Sequence, residues 1–408
     1  MSDDRTFIII GASQAGGWTA KTLRNEGFEG TVIMIGEEPY LPYERPPLSK
    51  DALLGETDVE STYFWPPETY EEDRIDVRLN TRVTAIDREA KTVTLDNGET
   101  LTWDKLAITT GARVRPLPID GADLSGVHYL RNMDDTLAIR EDAVKGGTAV
   151  IIGGGWIGLE CAATLGKLGC KPVVVEFADR LCGRAVTPDI SDWMLEFHRA
   201  KGVDVRLNTG VEKLEGDGAV SRAILSDGSA IDCSIVVIGI GVLPNVELAE
   251  EAGLEVDNGI VVDEFCRTSD PDIFSAGDVT NHPNGLLGRR IRLESWENAM
   301  NQGINAGKSM LDAGAPYSEI PWFWSDQFDA NIQMIGLPEE WDETATRGDK
   351  SANEFVEFYL KDGVIVGAIS VNSTRDLRFG KRLMQAGKQV TAADLANTDI
   401  KMQALLKG

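Results

Sequence analysis

Two stretches of the chain carry the same order of apolar and polar positions. The first begins with the apolar run Thr6–Ile10, continues through a glycine-rich turn into a segment of helical spacing at Ala15–Glu26, and ends in the apolar run Thr31–Ile35. The second has the same three parts, which are Thr148–Ile152, Trp156–Leu168 and Pro172–Glu176. Short apolar runs predict strands and the helical spacing predicts helices. The chain therefore carries two copies of one βαβ unit.

Shorter alternating segments follow each unit. Residues 80–103 predict a small β-meander that leads into a strand at 105–109. Residues 203–232 contain a second meander, before a strand at 234–239. The two halves share one plan, which predicts two parallel-sheet domains.

The pattern changes near residue 320. A helical stretch at Asn298–Ala313 precedes the change, and the strand-like runs Phe355–Leu360 and Val364–Val371 follow it. Their short connection predicts a hairpin-based α+β module. The predicted fold class is α/β, with two Rossmann-like dinucleotide-binding domains and a C-terminal α+β domain. The predicted boundaries are 1–110 and 246–320 for the first dinucleotide domain, 111–245 for the second, and 321–408 for the C-terminal domain.

Composition narrows the classes of partner. The 408 residues include 40 basic and 66 acidic side chains, a net charge of −26, which opposes attraction to nucleic acid or anionic membranes. The longest uncharged apolar stretches, 6–20 and 234–246, contain glycines and fall short of the ~18 residues expected of a membrane span. The acidic first residues differ from the basic start of a signal peptide. We expect a cytoplasmic protein that binds neither nucleic acid nor membranes.

Cysteine and histidine patterns favour neither disulfides nor metal sites. The five cysteines show no CxxC spacing, which suits reduced thiols. The three histidines, His128, His198 and His282, lie far apart in the sequence and show no metal-ligand pattern. We expect each histidine to be an ordinary surface or helix-end residue, and we expect no metal.

The first glycine turn, Gly11–Gly16, lies where the phosphates of a dinucleotide meet a helix N-terminus. Ser13 replaces the middle glycine of GxGxxG, so a tight turn without ligand is equally compatible with this motif alone. Glu37 follows the second strand, where a carboxylate accepts hydrogen bonds from ribose hydroxyls. A solvated loop acid beside Glu38 is the alternative interpretation.

The proline-rich loop 42–50 presents two cations, Arg45 and Lys50. Lys50 would stabilise negative charge on a bound cofactor if it faced one. It would equally serve as the first residue of a surface helix, and the residues alone leave both interpretations open.

The second turn, Gly153–Gly158, is a complete GxGxxG between a predicted strand and a predicted helix. Glu176 ends the next strand, and a carboxylate there favours the free 2′-hydroxyl of NADH over the 2′-phosphate of NADPH. The nearby Arg180 counts against a strict preference. Glu160 is expected on the first turn of the helix, where the helix dipole alone would explain an acid. The glycines of the loop 239–245, Gly241 among them, fit a connection between domains.

Three motifs resemble one family. The runs 45–50 (RPPLSK), 275–278 (SAGD) and 322–327 (WFWSDQ) are similar to those of the FAD-dependent NADH:ferredoxin reductases of bacterial monooxygenase and dioxygenase systems. The resemblance covers essentially the whole chain and implies a glutathione-reductase-like arrangement of the two nucleotide domains, with FAD and NADH as cofactors.

The resemblance implies an FAD site built from several parts of the chain. It places the pyrophosphate at Gly11, Ala15 and Gly16, with Ser13 in the same turn, the adenine ribose at Glu37, and the adenine near Val83. It places the phosphate and flavin regions at Arg45 and Lys50, the length of the cofactor along Arg131 and the turn Thr110–Gly111, the ribityl chain at Asp278 and the flavin edge at Trp296.

The resemblance also implies an NADH site and a route for electrons. NADH would bind at Gly153, Gly155, Ile157, Gly158, Glu176 and Gly241. Glu160 would lie near the nicotinamide and pair with Lys50, and Glu294 is a second candidate for the carboxamide. Trp324 would lie near the flavin on the side that faces an iron–sulfur protein, with Trp322 and Phe323 as core anchors.

Enzymes of this architecture that reduce disulfides need reactive cysteines near the flavin, and the first 160 residues contain none. Electrons would therefore leave to a protein carrier. Residues 375–388 have a local charge of +4 and would dock an acidic 2Fe-2S ferredoxin, although a solvated helix face is the more usual role of such a run. The cations concerned are Arg375, Arg378, Lys381, Arg382 and Lys388.

The expected function is hydride transfer from NADH to FAD, followed by single-electron transfer to a ferredoxin that feeds a haem-thiolate monooxygenase or a Rieske-type oxygenase. Two alternatives stay open. One is an NADH-dependent reductase of rubredoxin or monodehydroascorbate. The other is a redox-gated signalling flavoprotein like apoptosis-inducing factor, which the charge of −26 opposes.

Overall fold

The first of two parallel sheets contains the chain's first strand, Thr6–Ile10, at its centre. The computed structural model describes residues 3–407. Thr31–Ile35 and Lys105–Ile108 flank the central strand, and Ile75–Arg78 and Ile273–Ser275 form the edges. The central strands are buried along almost their whole length, as expected of a parallel sheet covered on both faces.

Two helices pack closely beside this sheet, Gln14–Asn25 and Trp296–Ser309. Glycine permits the approach, because a Cβ atom on Gly303 would lie 2.5 Å from the carbonyl oxygen of Ala15. The second helix is the predicted stretch 298–313, shifted toward the N-terminus. The packing brings the start of the two helices together.

The second parallel sheet repeats the first. Its strands, in spatial order, are Asp204–Arg206, Lys171–Val175, Thr148–Ile152, Ile235–Ile238 and Val127–Tyr129. The meander predicted within 203–232 is shorter than that range, because residues 204–206 pair with the parallel strand 171–175.

Two antiparallel meanders and one two-stranded ribbon accompany the parallel sheets. The meanders are Val83–Asp87, Thr92–Leu95 and Thr100–Thr102 in the first half, and Val211–Asp217, Ala219–Leu225 and Ala230–Asp232 in the second. The ribbon pairs Ala112–Val114 with Val242–Pro244, which are the two crossings between the nucleotide domains.

The C-terminal domain is an antiparallel sheet with three helices. In spatial order its strands are Trp322–Gln327, Ala330–Gly336, Val364–Val371, Glu354–Lys361 and Glu343–Asp349. The helices are Thr374–Gln385, Ala392–Ala396 and Met402–Lys407. Phe355 packs edge-on against Trp193 of the second nucleotide domain, so the two domains share a core.

The other helices are Asp51–Leu54, Pro67–Glu72, Met133–Ala143, Trp156–Lys167, Pro188–Ala200 and Glu247–Glu251, with 3-10 turns at Pro46–Ser49, Glu60–Thr62 and Lys350–Ala352. The other strands are Ile260–Val261, Thr280–Asn284 and Arg289–Ile291. Among residues 3–407, no helix is long and apolar enough to cross a membrane.

The predicted fold class is confirmed, since two parallel sheets and an antiparallel C-terminal sheet with helices are present. The expectation for the histidines is wrong for His282, which is buried on a strand, and incomplete for His198, which lies near a helix end but is fully buried. The half-buried His128 contacts Asp142 through Nε2 at 2.8 Å.

Candidate functional site

Backbone geometry at the first glycine turn leaves no room for side chains. Gly11 has φ +114°, and a Cβ atom there would lie 2.3 Å from the carbonyl oxygen of Thr109. A Cβ atom on Gly16 would lie 1.9 Å from the carbonyl oxygen of Gly11. The helix therefore begins directly against the end of the central strand, as nucleotide-binding turns require.

Ser13 is the N-cap of this helix, but its side chain makes no capping hydrogen bond. Its Oγ instead accepts from Nε of Arg45 at 3.3 Å. The first helical turn, Gln14 to Gly17, contains no acidic residue. The first N–H groups of a helix have no partner within it, and here no neighbouring carboxylate competes for them, so this helix start can bind an anionic ligand.

A second helix N-terminus lies beside the first. Nε2 of Gln14 donates to the carbonyl oxygen of Trp296, the first residue of the other helix, at 2.7 Å. Ser295 is its N-cap and makes no side-chain capping bond. Nε1 of Trp296 is buried and has no hydrogen-bond partner among residues 3–407. Two helix ends and an orphaned donor thus converge, which fits a polar, anionic cofactor such as FAD.

Arg45 is fixed by residues on both sides of it. It forms an ion pair with Glu38 at 2.5 Å, and Nη1 donates to the hydroxyl of Tyr43 and to the carbonyl oxygen of Arg131. In the sequence, Glu38 is noticed only as a neighbour of Glu37. Its pairing with Arg45, seven positions later, has no local sequence pattern that would predict it.

Arg131 also contacts Asp278, at 3.1 Å. Gly111 adopts φ +63°, and its Cβ position lies 3.6 Å from a guanidinium nitrogen of Arg131. Thr110 donates its hydroxyl to the carbonyl oxygen of Asn245 at 2.8 Å, so its side chain holds the domain crossing together. The fold thus brings Arg131, Asp278 and Gly111 to one place, and their contact with FAD stays a prediction.

Glu37 lies two residues after the second strand, next to the glycine turn. A Cβ atom on Gly36 would come within 2.5 Å of that of Ala12, so the strand end and the turn touch. Glu37 is 66% exposed and pairs with Arg82 at 3.2 Å. Val83 follows Arg82 and is buried. Glu37 is thus accessible to a ribose, and its role stays a prediction.

The second glycine turn repeats the geometry of the first. Gly153 has φ +111°, and its Cβ position lies 2.5 Å from the carbonyl oxygen of Gly239. That of Gly158 lies 2.1 Å from the carbonyl oxygen of Gly153. The Cβ position of Gly155 instead points into space where the described chain has no atom within 4 Å, which fits close approach by a pyrophosphate. Ile157, next in this turn, is partly exposed.

The carboxylate of Glu176 is held by the backbone. Oε2 accepts from the N–H of Gly154 at 2.6 Å, and Oε1 accepts from the N–H of Ala178 at 2.7 Å. Gly241 lies at the start of the returning crossing strand, with φ +101°. The predicted ribose-binding acid is therefore pre-oriented beside the turn.

Glu160 lies where all three domains meet. It is 2% exposed, and its carboxylate contacts Lys50 at 2.8 Å, Ser49 Oγ at 2.5 Å and Ser325 Oγ at 2.5 Å. It is the fifth residue of the helix that begins at Trp156, so its expected position on the first turn is wrong. A buried charge requires such partners.

Lys50 does not lie on the surface, as its interpretation as the first residue of a surface helix would require. The Lys50 side chain is largely buried, and Nζ lies between Glu160 and the carbonyl oxygen of Pro46. Sequence reasoning missed Ser49 and Ser325, although both belong to the motifs that carry the resemblance. Their distance along the chain from Glu160 concealed the contact.

Aromatic rings connect the helix start at Trp296 with the C-terminal sheet. Trp324 packs edge-on against Trp296 at 6.0 Å and stacks on Trp322 at 5.0 Å. Trp322 lines a surface groove of about 430 Å³, so its expected role as a core anchor covers only part of its environment. Phe323 faces the other way and contacts Trp156 at 5.1 Å.

Glu294 lies beside this region, partly exposed, and pairs with Arg292 at 2.5 Å. The carboxylate is therefore already engaged by a cation. Its contact with a nicotinamide carboxamide stays a prediction.

The basic helix 374–385 borders the groove that contains Trp322. Arg378 and Lys381 line that groove, and Arg378 also lines an adjoining one of about 420 Å³ with Arg375 and Arg382. Lys381 pairs with Glu297 at 3.1 Å, which compensates its charge. The exposed cations of this face are Arg375, Arg378 and Arg382.

All five cysteines are buried and free in the described chain, and none lies within a CxxC pair. Burial raises the pKa of the Cys161 thiol to about 12 and that of Cys266 to about 12. A thiolate nucleophile is therefore disfavoured at each site.

Comparison with protein families gives two matches along the chain. The family described as pyridine nucleotide-disulphide oxidoreductase matches residues 5–303, and the one described as reductase C-terminal matches residues 322–406. Together they span both nucleotide domains and the C-terminal domain.

Individual relatives match over nearly the full length. The chain is 43% identical, over 98% of its own length and 99% of the relative, to the anthranilate 1,2-dioxygenase system ferredoxin–NAD(+) reductase component of Burkholderia cepacia. It is 35% identical, with a TM-score of 0.95 and coverage of 98% and 99%, to the ferredoxin reductase for the CYP199A2 system from Rhodopseudomonas palustris. It is 34% identical, with a TM-score of 0.96 and coverage of 100% and 99%, to the reductase in a covalent putidaredoxin reductase–putidaredoxin complex.

Proposed function

The chain belongs to the pyridine nucleotide-disulphide oxidoreductase family, and we propose that it is an FAD-containing, NADH-dependent ferredoxin reductase of an oxygenase system. The buried contact between Lys50 and Glu160 carries this proposal, because it joins the loop of the first nucleotide domain to the helix of the second. A hydride donor held by one domain and an acceptor held by the other would meet there.

The residues of the first site fit FAD. Two helices, which begin at Gln14 and Trp296, have no side-chain cap, and their N-termini would bind the phosphates and the polar ring edge of FAD. Arg45 would add positive charge beside them. Asp278, oriented by Arg131, would accept hydrogen bonds from hydroxyls. FAD, when bound, supplies the chemistry that converts a two-electron hydride donation into two one-electron transfers.

The residues of the second site fit NADH. Gly155 leaves room for the pyrophosphate, and Glu176 offers an oriented carboxylate to the ribose diol. A 2′-phosphate at the same position would meet that negative charge, so NADPH would bind less well. Lys50 holds a positive charge between the two sites, and Glu160 fixes its ammonium group in position.

A ferredoxin fits the acceptor side. The relatives named above include reductase components of oxygenase systems, and the groove beside Trp322 and Trp324 opens next to the exposed Arg378 and Arg382. This face of a chain with net charge −26 would attract an acidic carrier. The carrier would deliver its electrons to a haem-thiolate or Rieske-type oxygenase.

The free cysteines favour a reducing compartment as the location of this activity. All five are free and buried in residues 3–407, a state that the cytoplasm preserves. Disulfide reduction at the first site has no thiol pair to use.

The proposal is tested by anaerobic addition of NADH or NADPH to the purified flavoprotein, followed by mixing with a purified 2Fe-2S ferredoxin. We expect NADH to bleach the flavin absorbance faster than NADPH, and ferredoxin to restore it. Rubredoxin and monodehydroascorbate serve as comparison acceptors. Faster reoxidation by either of them would replace the ferredoxin assignment, and an absorbance that NADH leaves unchanged would exclude the whole proposal.

A further inference from the structure

The strand Trp322–Gln327 has two faces with different surroundings. Side chains alternate along a strand, so Trp322 and Trp324 lie on one face and line the groove. The other face points toward the second nucleotide domain. The residues on that face are Phe323, Ser325 and Gln327.

The inward face contacts the start of the helix that carries Glu160. Phe323 packs against Trp156, the first residue of that helix. Ser325 Oγ, completely buried, donates to Oε1 of Glu160 at 2.5 Å. Oε2 of the same carboxylate is occupied by Lys50 and Ser49. Among the described residues, the hydrogen bond to Oε1 therefore comes from Ser325, a residue of the C-terminal domain.

Ser325 is itself held in place. Nε2 of Gln327 donates to Ser325 Oγ at 3.0 Å, and Oε1 of Gln327 lies 2.8 Å from Nε2 of His198. Both Gln327 and His198 are fully buried. Burial lowers the pKa of His198, which favours the neutral imidazole. Since the amide oxygen can only accept, the neutral ring carries its proton on Nε2.

The hydrogen bonds that link His198, Gln327, Ser325 and Glu160 all have the same donor-to-acceptor direction. His198 donates to Gln327, Gln327 donates to Ser325, and Ser325 donates to Glu160. Aligned donors in a low-dielectric interior strengthen each other and stabilise negative charge at the end of the chain. Gln327 donates to one lone pair of the serine oxygen, and the serine O–H donates to the carboxylate of Glu160.

We propose that Ser325, supported by Gln327 and His198, is a positioning residue that fixes the Glu160 carboxylate and through it the Lys50 ammonium group. This inference rests on the proposed NADH–FAD activity. It assigns to the C-terminal domain a role in flavin reduction, which is separate from any contact that its outer face makes with a carrier protein.

The kinetic test compares Ser325→Ala with Ser325→Thr. The alanine variant lacks the donor to Oε1, whereas threonine keeps the hydroxyl. We expect the limiting rate of anaerobic flavin reduction by NADH to fall about tenfold in Ser325→Ala, since hydrogen bonds to charged groups are worth about a factor of ten or more. The apparent Kd for NADH should change by less than about twofold, and threonine should restore the rate. Asp326→Ala, on the opposite face of the same strand, is the matched control and should match wild type.

The second measurement determines the protonation of His198 in these hydrogen bonds without enzyme turnover. The protein has three histidines, so selective ¹⁵N labelling of histidine gives a simple NMR spectrum. We expect His198 to show the neutral, Nε2-protonated tautomer at pH 8, because burial lowers the pKa of the imidazole from its ordinary value. In Gln327→Met, we expect its Nε2 signal to shift and the flavin-reduction rate to fall about threefold, because Ser325 loses its support. The flavin midpoint potential should shift in the same variants and not in Asp326→Ala.

The outcomes separate this inference from the proposed function. Wild-type protein that NADH does not reduce would exclude the function itself. If NADH reduces wild type and both Ser325→Ala and Gln327→Met at equal rates, the positioning role is wrong while the function stands. An Nδ1-protonated His198 would overturn the direction of the chain. A lower melting temperature with unchanged rate and potential would show a purely structural contact.

Discussion

The carboxylate of Glu176 is oriented before any ligand binds, because backbone N–H groups of Gly154 and Ala178 hold its two oxygens. Each oxygen retains a further lone pair for a ribose hydroxyl. We therefore predict that this pre-organised side chain selects NADH over NADPH.

Replacing Glu176 by alanine should raise the KM for NADH about tenfold or more, since charge-assisted hydrogen bonds to the ribose would be lost. The KM for NADPH should fall or stay constant, because repulsion of the 2′-phosphate is removed. Steady-state kinetics with ferricyanide measure both. Glu212→Ala, an exposed acid of the same domain, is the control. An unchanged NADH-to-NADPH ratio would mean that another residue selects the cofactor.

Thiol chemistry gives a second prediction at the residue scale. Burial raises the pKa of Cys161 to about 12 and that of Cys233 to about 11, so the thiolate fraction at pH 8 is very small, and all five sulfurs are shielded. We expect a disulfide reagent such as DTNB to titrate fewer than one thiol in the native protein at pH 8 and five after denaturation. Rapid reaction of even one native thiol would contradict this prediction.

At the scale of elements, the helix Thr374–Gln385 presents Arg375, Arg378 and Arg382 on one exposed face. Asp376 is taken up by the buried Arg347 at 2.7 Å, and therefore offsets little of the charge of that face. The docking interpretation of residues 375–388 stays a prediction, and these three arginines are its geometric basis. Lys381 and Lys388 do not add to it, because Glu297 compensates the charge of Lys381 and Nζ of Lys388 donates to the carbonyl oxygen of Leu406.

Reversing Arg378 and Arg382 to glutamate should raise the KM for ferredoxin about tenfold or more while the NADH–ferricyanide rate stays constant. The physical reason is repulsion between the new acids and an acidic carrier. High salt should narrow the difference from wild type. Arg222→Glu, an exposed arginine on the second nucleotide domain, is the matched control. If activity with ferredoxin and activity with ferricyanide fell equally, the substitutions would not act through ferredoxin docking.

At the scale of the whole molecule, the C-terminal domain is joined to the second nucleotide domain through a common core. Phe355 is fully buried and contacts Trp193, and the buried Ile332 and Val371 belong to the same cluster. The strand that positions Glu160 therefore rests on a packed interface.

Phe355→Ala should lower the free energy of unfolding by about 3–5 kcal/mol, because it leaves a cavity in this interface. Phe177, which is 82% exposed, provides a control of the same chemistry, and its alanine variant should change stability by less than about 0.5 kcal/mol. Urea denaturation followed by intrinsic fluorescence measures both. Similar losses in the two variants would contradict the shared core.

Domain limits belong to this scale as well. The sheets assign strands 6–10, 105–108 and 273–275 to one domain although the second domain lies between them in sequence. The boundaries at 110, 245 and 320 nevertheless stay a prediction, because crossings such as Ala112–Val114 and Val242–Pro244 belong to neither sheet.

The sequence by itself determined the two βαβ units, the glycine turns and the position of Glu176. These features are local, since strand and helix periods and the exclusion of side chains from a turn act over a few residues. The family motifs added the FAD and NADH interpretation, including the pairing of Lys50 with Glu160.

Tertiary structure alone decided what surrounds that pair. Ser49 and Ser325 lie 111 and 165 positions from Glu160, and His198 joins them through Gln327 from another element. It also decided that Lys381 is compensated by Glu297 and that His282 is buried. No local pattern encodes such contacts, because they arise only when separate domains pack and a buried charge must find its donors within the folded chain.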